Sequence, residues 1–338
     1  MTKKFSVRVS PHMFSKNTTQ KIMLAVVLAL LPTTAAGVYF FGLRALYVIL
    51  ASCASAVFFE AVCNKAMGRK VSVYDGSALL TGLLLALTLP PHVPLWIPVV
   101  GSFIAIAIAK QAFGGLGANI FNPALVGRAF LLASWPVLLT GWPAVVSVGS
   151  VAWMGHADAV TAATPLALKG KIDAVTSATS AQMWRIEGVS SFMAGVGSKK
   201  AAYSSLFFGS VGGSLGETSA LLILLGGLIL IALKIIDWQI PACFAGTVFV
   251  LSAALGQDPL LHVLSGGLML GAFFMATDYV TTPTTKNGRI AFAAGCGLIT
   301  VLIRFYGGPP EGITYSILLM NAVTPLIDRY IRPRRFGT

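Results

Sequence analysis

Charge is what this sequence has least of. Asp, Glu, Lys and Arg together make up 10% of its 338 residues and 56% are hydrophobic, whereas soluble globular chains carry about a quarter charged residues. A soluble fold of this size is thereby excluded. Acidic residues are the scarcer sign, 11 against 24 basic ones, for a net charge of +13. The basic residues fall between apolar runs, as they do in cytoplasmic loops of membrane proteins, so they read as a topology signal and not as a nucleic-acid surface. Cysteine is nearly absent too. Cys53, Cys63, Cys243 and Cys296 stand singly inside apolar segments, without the close pair spacings of zinc or iron-sulfur sites. They read as small buried hydrophobes, with no metal site and no disulfide framework. The N-terminal tail, with Lys3, Lys4, Arg8, Lys16 and Lys21, lacks the short apolar core and small-residue cleavage site of a removed signal peptide. It is expected to stay and to face the cytoplasm. A dinucleotide-binding turn is missing as well: Gly114-Gly-Leu-Gly117 has no strand before it, and that fingerprint needs strand, turn and helix together.

Long apolar runs are what the chain does have. Ten are read, over residues 21–41, 44–64, 76–90, 95–113, 122–138, 217–236, 239–256, 261–276, 288–306 and 311–330. The longest can cross a hydrocarbon core of about 30 Å as helices. Others are short. The third ends at Pro90-Pro91, and the fifth opens at Asn122-Pro123 after the glycine-rich stretch, so broken or half helices are expected where protein or a polar cavity can satisfy the backbone. Lys65, Arg69, Lys70, Lys110, Lys234, Lys286, Arg289, Arg329, Arg332, Arg334 and Arg335 fall on one side of a ten-span topology, with only Arg44 opposite. Both termini are therefore placed in the cytoplasm.

The expected fold class is an all-α polytopic membrane protein of about ten transmembrane helices in two inverted five-helix repeats. Residues 21–138 form the first repeat and 216–330 the second, with cytoplasmic tails at 1–20 and 331–338. Ser77-Ala-Leu-Leu80 ahead of Ile97-Pro98 is answered by Ser219-Ala-Leu-Leu222 ahead of Ile240-Pro241, and Asn122-Pro123 with Gly127-Arg128 by Thr282-Pro283 with Gly288-Arg289. An odd number of helices per half inverts the second copy, and such repeats frame midplane sites in transporters. Between the halves, residues 139–215 form one long polar insertion, rich in Ser, Thr, Gly and Ala. Loops of that length tend to be functional or disordered, and this topology turns it outward.

Within the insertion stand Asp158-Ala-Val-Thr161-Ala-Ala-Thr164-Pro165-Leu166 and Asp173-Ala-Val-Thr176-Ser-Ala-Thr179. Small neighbours leave a threonine hydroxyl open to modification. By composition alone the segment is equally a small-residue linker. The first stretch resembles the Asp-x-x-Ser/Thr-x-Ala-Thr flavinylation motif of the D-type membrane component of the Rnf complex and of its relative, the B-type component of the Na⁺-translocating NADH:quinone reductase. Asp75-Gly-Ser-Ala-Leu-Leu-Thr-Gly82, Asn119-Ile-Phe-Asn-Pro-Ala124, Gly213-Ser-Leu-Gly-Glu-Thr-Ser219, Gly271-Ala-Phe-Phe-Met-Ala-Thr-Asp278 and Thr281 to Arg289 are similar to signatures of the same family. They extend the resemblance over nearly the whole chain. It implies FMN esterified through its phosphate to Thr164 by a flavin transferase, with Asp158 and Thr161 in the recognition motif and Thr179 as the rival anchor. It also implies electrons passing from ferredoxin towards NAD⁺ between subunits, coupled Na⁺ or H⁺ movement across the bacterial inner membrane, and a second, noncovalent flavin, riboflavin in relatives. About twenty residues precede the first span, which favours the Rnf component over the quinone-reductase component. Two positions depart from the pattern: Tyr279, where relatives often have Pro, and Ala162-Ala163 in place of Gly-Ala.

Other residues keep two readings. Asp278 ends an apolar span, so it is either a helix-end cap or, since an acid at membrane depth is costly, part of a cation path. Glu217 is a helix-start acid or a residue approaching a flavin in the outer half. Arg128 and Arg289 read as inner-loop charges or as contacts to a flavin phosphate or a partner subunit. Gly267 and Gly271 at four-residue spacing allow close helix packing. A colourless channel, similar to urea channels in its five-span inverted repeat, is the alternative from another class.

Overall fold

The computed structural model describes residues 18–69, 73–140, 199–209, 212–307 and 312–332. Among these there are thirteen α-helices, two π-helical stretches and no strand, the all-α architecture that the composition predicts. Helix α1 (Thr19–Phe41) starts where the Thr18 side chain accepts from the Lys21 amide. It stops at Gly42, whose φ of 78° lets the chain reverse straight into α2 (Leu43–Ala66). With 24 residues and no Gly or Pro, α2 is about 36 Å long at 1.5 Å per residue. These two helices and α12 (Lys286–Tyr306) are long and apolar enough to cross a membrane singly.

Helix α3 (Ser77–Leu87) has 11 residues, nine of them buried, and reaches about 16 Å, half of a hydrocarbon core. Its start is fixed by Asp75 Oδ1, which accepts from the Ser77 amide at 2.8 Å and from Ser77 Oγ at 2.6 Å. Its far end meets the segment that returns from the polar insertion. The Gly216 and Leu215 amides donate to the Leu87 and Leu89 carbonyls at 2.6 and 3.1 Å, and a side chain at Gly216 would lie 2.8 Å from Leu87 O. Arg128 adds a guanidinium bond to the Thr88 carbonyl. The carbonyls left over at a helix end thus gain partners inside the protein.

Helix α4 (Trp96–Phe103) runs on as a π-helix over Ile104–Gln111. Then α5 (Pro123–Ser134) starts on Asn122, whose side chain accepts from the Ala124 and Leu125 amides, with Pro123 in the first turn. A short α6 (Pro136–Thr140) leads into the insertion, and α7 (Lys199–Phe208) lies within its returning end. The second half holds α8 (Ala220–Ala232), α9 (Gln239–Ala254), α10 (Pro259–Leu264), α11 (Leu268–Leu270) running into a π-helix at Gly271–Met275, then α12 and α13 (Ile313–Tyr330). In the first half α2 packs on α3 and α4; in the second α9 packs on α10 and α12. Across the halves α1 lies on α8, and α5 meets α13. At the first of these joins a side chain on Gly226 would come within 2.4 Å of Ala29 O.

Two charges move from where the sequence places them. Arg128 is a buried residue of α5, not a loop charge, and seals the end of α3. Lys110 is not an inner-loop cation either: it is 1% exposed, inside the first π-helix. Arg304 of α12, buried as well, donates to the Ser265 and Gly266 carbonyls at 3.1 and 3.4 Å and to the His262 carbonyl. An arginine from another helix thus holds the break after α3 and the one between α10 and α11.

Candidate functional site

Residues of both π-helices line one open recess, together with α1, α3, the Asn119–Ala124 stretch, the end of α8 and the turn to Tyr279. Its wall is largely apolar, with Leu80, Leu84, Ile236, Phe273 and Phe274. Ser77, Lys110, Asn119, Asn122, Thr277 and Asp278 supply the polar groups.

Behind the recess lies a buried polar network. Lys110 Nζ donates to Glu60 Oε1 at 2.8 Å and to Ser77 Oγ at 2.6 Å, and Gln111 Nε2 reaches Glu60 Oε1 at 3.3 Å. Both charged side chains are shielded from solvent, at 2% and 1% exposure for Lys110 and Glu60. A charge in such surroundings requires a partner, and each supplies the other's. The remaining oxygens, Glu60 Oε2 and Gln111 Oε1, are buried and find no donor. The π-helix places Lys110 and Gln111 on one wall: its extra residue per turn brings the Ala112 amide to Ala107 O and the Gly115 amide to Lys110 O, and such bulges recur at functional positions.

Asp278 is half-buried and follows the second π-helix. It accepts from the Val280 amide and Thr281 Oγ1 at 3.5 Å each, both long contacts. Asn119 faces its carboxylate, and Lys110 lies within electrostatic reach. The Asn122 amide group ties the two halves together by donating to the Met275 carbonyl at 3.1 Å. Tyr279 also lines the recess and donates its hydroxyl to the Ile235 carbonyl.

Asp158, Thr161, Thr164 and Thr179 lie outside the described residues. Glu217 does not cap α8; Ser219 does, accepting from the Leu222 amide at 3.4 Å. The Glu217 carboxylate rests beside Gly213 and Gly267 instead, and a side chain at Gly267 would come within 2.8 Å of it. Gly267 therefore serves the acid, at a φ of 66°, while Gly271 admits Ile313 of α13. Arg289 pairs with Asp237 and donates to the Pro283 carbonyl at 3.0 Å. Tyr203 of α7 donates to Asp258, the N-cap of α10, so the returning end of the insertion is pinned to the second half. Burial, then the bond to Asp258 and its charge, push the Tyr203 phenol up to about 12.

The residues that the sequence reading leaves aside are Glu60 and Gln111, and it gives Lys110 another role. The signal for Glu60 is present: an acid in the middle of a long apolar run is a functional candidate by its cost alone.

Similarity to known proteins covers this whole frame. A model of the NQR2, RnfD, RnfE family matches residues 6–337. The D-type component of the proton-translocating ferredoxin:NAD(+) oxidoreductase complex of Clostridium ljungdahlii is 47% identical over 341 residues, spanning 99% of this chain and 96% of its own. Its counterpart in the Na(+)-translocating ferredoxin:NAD(+) oxidoreductase complex of Acetobacterium woodii is 47% identical over 334 residues, spanning 98% and 95%. The D-type component of an ion-translocating oxidoreductase complex from Escherichia fergusonii is 37% identical, spanning 98% of each chain.

Proposed function

The chain belongs to the NQR2, RnfD, RnfE family, and from that premise we propose that it is the D-type membrane component of an ion-translocating ferredoxin:NAD⁺ oxidoreductase complex. The observation that carries this reading is the 47% identity, over nearly the full length of both chains, to two proteins bearing that name. One of those relatives is named for protons and the other for Na⁺, so the family likeness leaves the transported ion as either. The protein works within a complex, beside other membrane and peripheral subunits, in the bacterial inner membrane. Both termini face the cytoplasm and the 139–215 insertion faces outward.

In this reading Thr164 carries FMN as a phosphate ester, attached by a flavin transferase that recognises Asp158 and Thr161, and Glu217 lies on the same outer side. A second, noncovalent flavin is assigned to the recess on its lining: Phe273, Phe274 and the leucines would flank an isoalloxazine, and Asn119 and Thr277 would meet its polar edge. A bound flavin supplies the one-electron relay chemistry, which no side chain of this protein provides. The chain's own residues position and shield. Asn122 keeps the α5 start against the Met275 carbonyl, so the recess wall does not open when a group enters. Asp278, weakly bonded and facing the recess, serves the passage of Na⁺ or H⁺, because an acid at membrane depth has few other uses.

The test is to purify the tagged protein from cells that co-express its neighbours and the flavin transferase. Copurification of iron-sulfur subunits, reduction of NAD⁺ by reduced ferredoxin and a flavin band surviving denaturing electrophoresis are expected. A colourless, singly purified protein that conducts solute would sink the reading and favour a channel.

A further inference from the structure

The Glu60–Lys110 pair has features that a purely structural ion pair does not need. Lys110 spends two of its three N–H bonds, on Glu60 and Ser77, leaving one for the recess it lines. Glu60 keeps one buried oxygen without a donor, beside an equally donorless Gln111 Oε1. Across the same recess stands Asp278, whose only bonds from its own turn are 3.5 Å long. Lys110 therefore lies within electrostatic reach of two carboxylates, Glu60 from the first half of the chain and Asp278 from the second. Glu60 keeps one donorless oxygen, Asp278 is held by Asn119 besides the two long bonds of its own turn, and Asp75 bonds the same Ser77 hydroxyl that takes the second N–H of Lys110. A lysine suits such a position, being a point charge on a flexible four-carbon stem. A buried charge leaves one partner only for another.

We propose that the Lys110 ammonium is a tethered counter-charge that moves between Glu60 and Asp278, and that the carboxylate it leaves is the one open to the translocated cation. This rests on the reading of Asp278 as part of the cation path. With the ammonium on Glu60, Asp278 is free to take Na⁺ or a proton from the recess. With the ammonium on Asp278, the Glu60 carboxylate and Gln111 Oε1 offer a buried set of oxygens to the same ion. The side chain thus prevents both acids from being filled together, and each movement of Lys110 displaces one cation.

The experiment uses the assembled complex in vesicles, measuring ²²Na⁺ uptake and, separately, proton uptake for each NAD⁺ reduced by ferredoxin. Lys110→Gln, and Glu60→Gln combined with Lys110→Gln to keep the buried charge balanced, are each expected to lower the cations moved per NAD⁺ at least fivefold. A double variant within twofold of the unaltered ratio overturns the proposal and leaves the pair structural. Asp278→Asn with an unaltered ratio overturns the parent reading as well. Loss in Asp278→Asn with an unaltered ratio in the Lys110 variants overturns this inference alone. Should both Lys110→Gln forms fail to assemble, Lys110→Arg decides: at least a threefold shift in the cation concentration for half-maximal coupling is expected, and an unshifted value overturns the proposal.

Discussion

Glu60 and Lys110 form a buried pair in which each charge depends on the other. Removing one partner leaves an uncompensated charge, which costs about 3–5 kcal/mol, whereas replacing both is often close to neutral. Lys110→Met is therefore expected to lower the unfolding midpoint of the solubilised complex sharply, and Glu60→Gln with Lys110→Met to recover most of it; equal losses in the two would show that the pair's charges are not mutually dependent. His92 gives a residue-scale effect of pH. Burial, then the nearby Arg44, hold its imidazole below the ordinary value, so the folded state favours the neutral ring. That contribution is present above the ordinary histidine value of about 6.5 and is lost as pH falls through the lowered folded value. His92→Gln should flatten the decline in unfolding midpoint between pH 7.5 and 5.5, and an unchanged slope would contradict the assignment. At this scale the sequence is readable where a motif is local. The stretch around Thr164 stands out by its resemblance to a family motif, although its neighbours alone read equally as a linker. Lys110 does not, because a lysine beside a glycine-rich stretch looks the same in an inner loop and in a π-helix wall; only packing against α2 distinguishes them.

Half-helices are the element on which the recess depends. Their positions follow from local chemistry: Asp75 and Ser77 start α3, Pro90 and Pro91 end its run, and Asn122-Pro123 starts α5. All ten apolar segments accordingly fall on helices within a few residues of their sequence limits. What seals the breaks was not legible, since the Gly216 amide, Arg128 and Arg304 reach them from elements remote in sequence. Gly216→Ala is expected to push the returning segment off α3, because its methyl would meet Leu87 O and Leu270 Cδ2 at 2.8 Å each. Faster amide hydrogen exchange in the last turn of α3 would register this, and unchanged protection would show that the segment is not what holds that end. Asn122→Ala removes a helix cap, worth about 0.5–2 kcal/mol, together with the bond to Met275. It should lower the unfolding midpoint more than the Asn119→Ala change, which breaks a local bond to the Phe121 carbonyl and the contact with the Asp278 carboxylate but removes no helix cap; the reverse order would contradict the role given to Asn122.

Across the whole molecule, two helical halves meet around a recess, and a polar insertion leaves and returns between them. Low charge and long apolar runs already specify the membrane as solvent and an all-α architecture, and no strand occurs among the described residues. The family was legible at this scale because signatures are spread from Asp75 to Arg289, and likeness to the D-type components of such complexes runs end to end. The proposed threonine ester is beyond composition, because such a bond would leave no mark on hydropathy or packing. Peptide mass spectrometry of the protein, purified from cells making the whole complex and its flavin transferase, therefore bears most directly on the electron-carrier account. The peptide containing Thr164 should carry the mass of FMN and lose it in Thr164→Ala; a modified Thr179 peptide would move the anchor. Unmodified peptides at both threonines, in a complex that still reduces NAD⁺ from ferredoxin, would contradict the account.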